Sequence, residues 1–384
     1  MKIVVAPNAL KGSLSAAEAA QAMCLGIRRA LHDAEIQAIP VADGGDGLIE
    51  TLAEPLAAER ISHTVTGPLG TPTHAVFLYA PDRDLAIIEM AQASGLALLE
   101  RTQLDALSAS SIGTGELISA ALDRGCKHIV LGIGGSATTD GATGLATALG
   151  IHFENEQGEW ISASGANLQH IRHIDVSELD NRLQGVRLEI ACDVDNPLLG
   201  DQGAAHVYAP QKGASPGEVQ QLEDGLRHLS ALLEKHTGRD ICSLAGGGAA
   251  GGAGAGLVAL LGATLKPGAQ LVLELLEVER AIEQADLVLT CEGQLDYQTR
   301  FGKAPAAVAS LALKHGVPCI AIAGSLDESA YRLHEDGFDA LFSLCPGPVS
   351  LQQAIANAAP YLAQTTEQVI RCQQLGRILA TGAS

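Results

Sequence analysis

The two ends of the chain share one pattern, in which short apolar runs alternate with stretches of helical spacing. The run Lys2 to Ala6 predicts a buried strand, and the capping box Ser15-Ala-Ala-Glu18 opens a helix whose apolar residues recur every three to four positions. A strand over 35–41 and a helix over 48–56 follow. The C-terminal part repeats this order, with strands over 285–291, 317–323 and 339–344 and helices over 305–315 and 328–335. Such alternation is typical of a parallel sheet with helical crossovers.

A different pattern begins at Arg60. Residues 63–90 alternate between apolar and polar positions and contain turn signals, which predicts antiparallel hairpins. A helix after Gly115 and strands at 128–133 and 187–192 follow. We therefore predict an α/β fold of two α/β domains. One is a doubly wound parallel sheet formed by both chain ends, and the other is an inserted mixed α/β domain. The predicted boundaries are 1–60 plus 281–384 for the first and 61–280 for the second, with the active-site cleft between them.

Residues 241–265 form a stretch of 25 residues without a charge, and two structures fit it. Its length and the motif Gly248-x-x-x-Gly252 are compatible with a membrane-spanning helix. However, seven of the eleven residues from Gly246 to Gly256 are glycine. Each glycine costs about 1 kcal/mol relative to alanine in a helix. We therefore predict a glycine-rich loop that leads into a buried helix at 257–261.

The net charge excludes some partners. The chain has 24 Lys or Arg against 44 Asp or Glu, so its formal charge is −20. Such a charge repels nucleic acids and anionic membranes, and we expect neither as a partner. The eight cysteines form no Cys-x-x-Cys pair, which argues against structural zinc and favours a reducing compartment. The N-terminal apolar run is too short for a secretion signal, so we predict a cytoplasmic protein.

Six loops after predicted strands combine glycine with short polar or charged residues, where open α/β sheets bind ligands. They cover 6–13, 40–47, 132–144, 192–203, 245–256 and 290–303. The loop at 132–144 precedes a helix predicted at 144–149, and its glycines and hydroxyl groups suit a phosphate cradle. A tight turn between strand and helix is the alternative.

Carboxylates and lysines recur in these loops. Transfer of a phosphoryl group to an alcohol needs a carboxylate to accept the hydroxyl proton, oxygen ligands for Mg²⁺, and cations for phosphate. The loop carboxylates are Asp43, Asp46, Asp140, Asp193, Asp195 and Asp296, and the lysines beside glycine are Lys11, Lys212 and Lys303. Any single aspartate is equally compatible with a turn or a helix cap. The run Asp193, Asp195 and Asn196 directly after one strand favours a functional site.

Motifs of other enzyme classes are absent or weak. The sequence contains no P-loop, no protein-kinase motif, no nucleophile elbow and no His-Glu-x-x-His. Gly132-x-Gly134-x-x-Ala137 fits a permissive dinucleotide fingerprint, with Glu154 22 residues after the first glycine. The N-terminal βα turn lacks this fingerprint. An NAD(P)-dependent oxidoreductase is therefore a remote alternative, as is a non-catalytic protein that binds sugar acids.

In order, and over essentially the whole chain, these loops resemble those of the bacterial type I glycerate kinases. The matching segments are APNALKGSLSA (6–16), PVADGGDG (40–47), GTGEL (113–117), GIGGSATTDG (132–141), CDVDNPLLGDQGA (192–204), APQKGAS (209–215), GGGAAGGAGAGL (246–257) and CEGQLDYQTRFGK (291–303). The resemblance implies a transferase that moves the γ-phosphoryl group of ATP to D-glycerate with Mg²⁺, mostly giving 2-phosphoglycerate. It also implies a flavodoxin- or Rossmann-like domain joined to a second α/β domain.

The chain departs from the family pattern at few positions. Asn8-Ala9 stands where Asp-Ser is common, which argues against residue 8 as an essential metal ligand. Ile112 replaces a frequent arginine, so that cation cannot hold the substrate in this chain. Asp46, Thr139 and Cys291 replace a frequent Glu, Asn and Gly. None of these changes argues for a loss of activity.

Resemblance and chemistry together suggest roles for individual residues. Asp193 is the first candidate for the base, Asp43 and Asp296 are its rivals, and Lys11 completes the catalytic set. The substrate is expected to contact Lys11, Ser13, Lys212 and Asn196, and Mg²⁺ to contact Asp43 and Asp195. Nucleotide phosphates are expected at Gly134, Gly135, Ser136, Gly247, Gly248, Gly251 and Gly252. A 3-phosphoglycerate product, another small hydroxy acid as substrate and a homo-oligomer all stay open.

Overall fold

The computed structural model describes residues 1–44 and 47–381, with side chains described as far as residue 376. Within these residues the chain forms thirteen β-strands. They are, in chain order, β1 (Lys2–Val5), β2 (Glu35–Ala38), β3 (Glu59–Thr66), β4 (Pro72–Ala80), β5 (Leu85–Glu89), β6 (His128–Gly132), β7 (His152–Glu154), β8 (His173–Asp175), β9 (Arg187–Ala191), β10 (Thr264–Lys266), β11 (Leu287–Leu295), β12 (Cys319–Leu326) and β13 (Ala340–Ser343).

The same described residues form thirteen α-helices. They are α1 (Ala16–Ala30), α2 (Leu48–Leu52), α3 (Met90–Ser94), α4 (Ile112–Asp123), α5 (Thr143–Ala148), α6 (Ala204–Tyr208), α7 (Pro216–Thr237), α8 (Ala249–Leu261), α9 (Gly268–Leu275), α10 (Val278–Ile282), α11 (Ala304–His315), α12 (Leu351–Ala356) and α13 (Ala358–Thr381). Short 3₁₀ helices cover Pro210–Lys212, Tyr297–Arg300 and Glu328–Asp336, among others. The fold is α/β.

Two compact units divide the chain, and the first contains both chain ends, Met1–Asp43 and Ala269–Ser384. Its five strands pair in the order β13-β12-β11-β1-β2, and all four pairings are parallel. This is the flavodoxin-like strand order, which confirms the predicted doubly wound sheet from both chain ends. The helices α1 and α13 pack against each other, and Met23 and Leu362 share a core with Ile3 and Leu289 of the sheet.

The second unit spans Gly44–Gly268. Its six-stranded sheet has the order β10-β9-β6-β5-β4-β3. The β3-β4-β5 pairings are antiparallel, as the alternating pattern predicted, whereas β5, β6, β9 and β10 run parallel. One core lies between the sheet and α4, with Phe77 and Leu117 among its side chains. A second core surrounds α7 and includes Leu222 and Leu226. The inserted domain is therefore a mixed α/β unit.

The unit boundaries lie at 43/44 and 268/269 instead of the predicted 60/61 and 280/281. The segment at 48–60 belongs to the second unit because the Leu48 N–H donates a hydrogen bond of 2.8 Å to Glu89 at the end of β5. The helix α10 belongs to the first unit, where Glu279 accepts hydrogen bonds from Lys314 at 2.5 Å and His315 at 2.8 Å. These contacts join residues distant in sequence, so the composition change at Arg60 could not reveal them.

The stretch at 241–265 forms a turn, α8 and β10. Ala250, Gly251 and Gly252 have left-handed backbone angles inside α8, so its regular part begins at residue 253. The glycine-rich loop was predicted correctly, and the helix after it begins four residues earlier than predicted. Among the described residues, none of the helices is long and apolar enough to cross a membrane.

Candidate active site

A pocket of about 180 Å³ opens in the second unit, at the carboxyl ends of β6 and β9. Its lining residues include Gly134, Gly135 and Ser136 after β6 and Asp193 after β9. Lys212, from the 3₁₀ helix Pro210–Lys212, also lines it. Five of the predicted site residues, which come from three separate loops, thus surround one cavity.

The loop after β6 presents backbone donors to this pocket. It is fixed to the segment after α3, because the Leu96 N–H donates to the Gly135 carbonyl at 2.8 Å and the Ala137 N–H donates to the Ser94 carbonyl at 2.8 Å. Gly135 has a φ of 66°, a left-handed conformation that favours glycine. Within the described residues, the N–H groups of Gly134, Gly135 and Ser136 donate no hydrogen bond. Consecutive unpaired N–H groups in a Gly-rich turn are suited to binding an anion.

Lys212 contributes a buried cation to the pocket. The residue is only 2% exposed, and its Nζ donates to Ser136 Oγ at 3.0 Å and to the Thr138 carbonyl at 2.5 Å. Burial lowers the pKa of Lys212 to about 7, and the charge of Asp140 opposes this shift. An ammonium group has three donors, and the described residues accept two of them. The third donor is available to a ligand in the pocket.

Asp140 holds the same loop in shape from inside. It is completely buried and accepts hydrogen bonds from Ser111 N–H at 2.8 Å, Ser111 Oγ at 2.7 Å, and the N–H groups of Ala142 and Gly144 at 3.2 Å each. Burial raises the pKa of Asp140 even though these bonds favour its charged form. Both oxygens of the Asp140 carboxylate accept hydrogen bonds within the protein. Asp140 therefore has the structural role that was the alternative for any single loop aspartate. The sequence offered no signal for its partner Ser111, which lies 29 positions earlier.

The three polar residues after β9 differ in their positions. Asp193 lines the pocket and is exposed, and its Oδ1 accepts the Gly268 N–H at 2.7 Å. Asp195 is exposed and lies outside the pocket lining. Asn196 braces its own loop, because its Nδ2 donates to the Gln202 carbonyl at 2.8 Å and its Oδ1 accepts Tyr208 Oη at 2.7 Å. Tyr208 lines the pocket, so Asn196 reaches the cavity only through this neighbour.

The second glycine-rich loop supports the pocket instead of lining it. Gly247, Gly248, Gly251 and Gly252 are all buried, and the loop reaches the cavity through Ala249 and Ala250. A Cβ atom on Gly248 would lie 2.2 Å from the Pro197 carbonyl oxygen, and one on Gly251 would lie 2.1 Å from the Thr138 carbonyl oxygen. These glycines therefore allow close packing between backbones. Phosphate contacts were predicted for these four glycines, but none of the four lines the pocket.

One glycine inside α8 and the glycine that follows α8 test this packing role. Gly251 and Gly262 both have left-handed φ angles, of 69° and 65°, but a Cβ on Gly262 meets nothing within 4 Å. We expect Gly262→Ala to lower the free energy of unfolding by about 1 kcal/mol, the cost of the backbone conformation alone. Gly251→Ala should lower it by about 3 kcal/mol, because the new methyl group also collides with Thr138. Urea unfolding of both variants measures the difference, and equal losses would contradict the packing role.

A second polar cluster lies in the first unit, at the carboxyl edge of its parallel sheet. Asn8 follows β1, Asp43 follows β2, and Glu292 lies in β11, which neighbours β1. Asn8 Nδ2 donates to Asp43 Oδ1 at 2.9 Å and to Glu292 Oε2 at 3.0 Å. Burial, together with the charge of Asp43, raises the pKa of Glu292. Asn8 and Glu292 were missed as site residues. Glu292 is a charged residue at the end of an apolar run. The loop aspartates were selected because they follow such runs, so the same rule could have selected Glu292.

The other residues predicted for the site are more dispersed in this unit. Lys11 is exposed in the turn after β1, and Ser13 Oγ donates to the Ile355 carbonyl at 3.0 Å. Asp296 caps the 3₁₀ helix Tyr297–Arg300 and accepts the Thr299 N–H at 3.2 Å, the structural role considered for any single loop aspartate. Asp46 lies outside the described residues. The structure joins Asp43 to the cluster and does not bring Asp296 into it by a hydrogen bond.

Comparisons with known proteins identify the family of this chain. Residues 3–374 match the model of the glycerate kinase family. The chain belongs to the glycerate kinase family. It is 45% identical over 367 residues to a glycerate kinase of Halalkalibacterium halodurans, covering 96% of this chain and 97% of the relative. It is 42% identical over 377 residues to a glycerate 2-kinase of Escherichia coli K12, covering 98% of this chain and 99% of the relative.

A solved structure supports the same fold. A crystal structure described as glycerate kinase 2 from Salmonella typhimurium LT2 matches with a TM-score of 0.88 at 43% identity. The match covers 98% of this chain and 99% of that chain. Our protein is therefore a kinase that phosphorylates an alcohol, and the fold class is confirmed. Membership of this family sets aside the oxidoreductase and the non-catalytic binding protein as alternatives.

Proposed function

We propose that this glycerate kinase transfers the γ-phosphoryl group of ATP to the 2-hydroxyl group of D-glycerate, giving 2-phosphoglycerate and ADP. The observation that carries the proposal is the pocket where unpaired N–H groups of Gly134 to Ser136 meet the buried ammonium of Lys212. Fixed donors of this kind stabilise the charge on a phosphoryl group during transfer. The name of the E. coli relative, glycerate 2-kinase, supports the choice of hydroxyl group.

In this proposal the pocket receives the phosphates of ATP. The N–H groups of Gly134, Gly135 and Ser136 bind phosphate oxygens, and the third donor of Lys212 binds the phosphoryl group that is transferred. Ser136 Oγ and the Thr138 carbonyl hold the ammonium in position before the substrate arrives, so the reaction requires little reorganisation. Gly251 supports the loop from behind through its contact with Thr138.

Asp193 is our candidate for the base, because it lines the same pocket as Lys212. As the hydroxyl oxygen of glycerate attacks the γ-phosphorus, its proton moves to the Asp193 carboxylate, and the bond from phosphorus to the bridging oxygen of ADP breaks. Asp43 is the rival candidate, since Asn8 fixes its carboxylate. Lys11 and Ser13 stay candidates for binding glycerate. Asn196 acts on the site through Tyr208 rather than directly.

Mg²⁺ fits the donors present, although the described residues contain no group of three or more His, Cys, Asp or Glu that could hold a metal. Mg²⁺ in kinases is held by one or two carboxylates together with substrate phosphates, so a dedicated cage is not required. The exposed carboxylate of Asp195, two residues from Asp193, offers the hard oxygen that this ion prefers, and Asp43 is the second candidate. When bound with ATP, the ion neutralises phosphate charge.

We assign the reaction to the cytoplasm, where ATP is available. All eight cysteines are free thiols, which is consistent with a reducing compartment. The reaction itself is tested by incubating the purified protein with ATP, Mg²⁺ and D-glycerate. Phosphorus NMR then assigns the product, and enolase without added mutase consumes only 2-phosphoglycerate. A 3-phospho product would overturn the choice of hydroxyl group, and the absence of any phosphoglycerate would overturn the substrate.

The charge of Lys212 should make anion binding depend on pH. Because burial lowers the pKa of Lys212 to about 7, its ammonium form is lost as the pH rises above that value. Sulfate, a phosphate mimic, keeps its charge across this range. We expect its dissociation constant to be constant below about pH 6.5 and to increase about tenfold per pH unit above 7.5. Isothermal titration calorimetry between pH 6 and 8.5 measures this, and a flat profile would contradict it.

Other groups around the pocket do not reproduce this dependence. Burial raises the pKa of Cys192 and of Tyr208, so both stay neutral over the measured range. Asp140 is the charged group that acts on Lys212. The folded-state pKa of Lys212 lies below its ordinary value of 10.5, so the unfolded state binds more protons between about pH 7 and 10.5. The free energy of unfolding should therefore rise with pH across that window and be independent of Lys212 below it.

A further inference from the structure

Asn8 links two carboxylates at the point where the strand order of the first unit reverses. The chain leaves β1 towards β2 on one side, and β11 pairs with β1 on the other. Ligands of doubly wound sheets bind outside the carboxyl ends of the strands at such a point. Asn8, 6% exposed, uses both hydrogens of its amide there, one for Asp43 and one for Glu292. Its Oδ1 accepts the Ala9 N–H at 2.8 Å, so the orientation of the amide is fixed.

The Asp43 carboxylate is held by one oxygen only. Oδ1 accepts Asn8 Nδ2 at 2.9 Å and the Ala304 N–H, at the start of α11, at 2.8 Å. Within the described residues, Oδ2 makes no hydrogen bond. Asp43 is half-buried, so this second oxygen is the part of the cluster that is available to a ligand donor. A carboxylate acceptor prefers a hydroxyl or amide donor, and glycerate carries hydroxyl groups.

Glu292 fixes the other side of the amide. It is 6% exposed, its Oε2 accepts Asn8 Nδ2 at 3.0 Å, and its Oε1 accepts the Gly293 N–H at 3.2 Å. Both of its oxygens are therefore used within the protein. The hydrogen-bond connection from Glu292 to Asp43 runs through Asn8, in the way that a third residue orients the base in a catalytic triad.

We propose that Asn8 and Glu292 are positioning residues, which aim Asp43 Oδ2 at the glycerate hydroxyl group that is not phosphorylated. The proposal rests on the proposed function, because it takes glycerate as the substrate. Asp43 then determines specificity, since a hydroxy acid without the second hydroxyl group leaves a carboxylate oxygen unpaired. A site built to bind a hydroxyl group discriminates strongly against analogues that lack it. D-lactate is the matched analogue, because it differs from D-glycerate by the loss of that group alone.

The test compares the affinities of D-glycerate and D-lactate, measured by calorimetry without ATP. The wild-type protein should bind glycerate about 10- to 100-fold more tightly than lactate, the range expected for one hydrogen bond to a charged group. Asn8→Ala should weaken the binding of glycerate until the affinities for glycerate and lactate differ by no more than about threefold. The KM for ATP should stay within about twofold of the wild-type value. A wild-type ratio in the Asn8→Ala variant would overturn the proposal.

Further variants separate positioning from a general loss of structure. Glu292→Gln keeps one acceptor oxygen, which can accept from Asn8 while the Gly293 hydrogen bond is lost, so it should retain the ratio, whereas Glu292→Ala should reduce it. Asn8→Ala should have no further effect on the ratio in an Asp43→Asn background, because it acts through Asp43. Asn8→Ser, which keeps one donor, serves if the alanine variant does not fold.

Asn167→Ala is the control. Its amide also donates two hydrogen bonds, to the Ser162 carbonyl and Oγ, at a half-buried position in the second unit. It should not change the ratio. If the wild-type protein forms no phosphoglycerate, the proposed function fails. If it forms phosphoglycerate while the ratio is the same in all variants, only the present inference fails.

Discussion

Lys212→Met should reduce kcat/KM for glycerate phosphorylation by about 10³-fold or more and leave the protein at least as stable as the wild type. The loss of activity is expected because a buried cation on a transferring phosphoryl group contributes about 10³- to 10⁵-fold in related reactions. The stability is expected because Lys212 is 2% exposed and makes no ion pair within hydrogen-bond distance among the described residues. A buried charge without an ion-pair partner is costly, so an apolar side chain of similar length offsets the loss of the two hydrogen bonds.

Steady-state kinetics and urea unfolding, on the same preparations, measure the two effects. Lys314→Met is the matched control. Its side chain is 63% exposed and pairs with Glu279 at 2.5 Å on the surface of the first unit, so both activity and stability should change little. Activity of Lys212→Met within tenfold of the wild type would remove Lys212 from the reaction. A large loss of stability would instead indicate that the ammonium serves the fold, through Ser136 and Thr138.

The sheet of the first unit was predictable because each of its elements carries a local signal. The Ser15–Glu18 capping box opens α1, and Gly316 ends α11 in a left-handed conformation, both as the sequence indicates. The helices α7 and α13 were not predicted, although α7 has a complete capping box at Ser215 and Glu218. The packing of α13 against α1 involves residues more than 300 positions apart, and no local pattern records it.

The candidate site was predictable at the level of loops and not of individual atoms. Gly134, Gly135, Ser136, Asp193 and Lys212 were selected because they follow strands or lie beside glycine, and one pocket unites them. The second glycine-rich loop carries the same signal but serves another purpose. A glycine that admits a phosphate and a glycine that admits a neighbouring carbonyl group look identical in a sequence. The structure distinguishes them, because a Cβ atom added to Gly251 would lie 2.1 Å from the Thr138 carbonyl oxygen.

The burial of Lys212 illustrates what the sequence could not reveal. The Gln211-Lys212-Gly213 turn is compatible with a solvated lysine, which is the usual case. Its side chain is buried, and its ammonium group donates to Ser136 and Thr138 of the loop after β6, which lie more than 70 positions earlier in the chain. The lowered pKa follows from that burial, so it too depends on tertiary structure.

Asp193→Asn should lower kcat by about 10²- to 10⁴-fold, the contribution typical of a general base. The fold should be unaffected, because the amide oxygen of asparagine still accepts the Gly268 N–H that Asp193 Oδ1 accepts now. Asp201→Asn is the matched control, since Asp201 is an exposed aspartate on the same loop outside the pocket lining. It should keep kcat within about twofold. A kcat of Asp193→Asn within a few-fold of the wild type would leave Asp43 as the candidate base.

The metal dependence of the variants separates a base from a metal ligand. If Asp193 accepts the proton, the Mg²⁺ concentration for half-maximal rate should be unchanged in Asp193→Asn, and saturating Mg²⁺ should not restore kcat. Asp195→Asn should raise that concentration by about tenfold and recover at high Mg²⁺, because Asp195 is proposed to contact the ion and not the hydroxyl group. Recovery of Asp193→Asn at high Mg²⁺ would exchange the two roles.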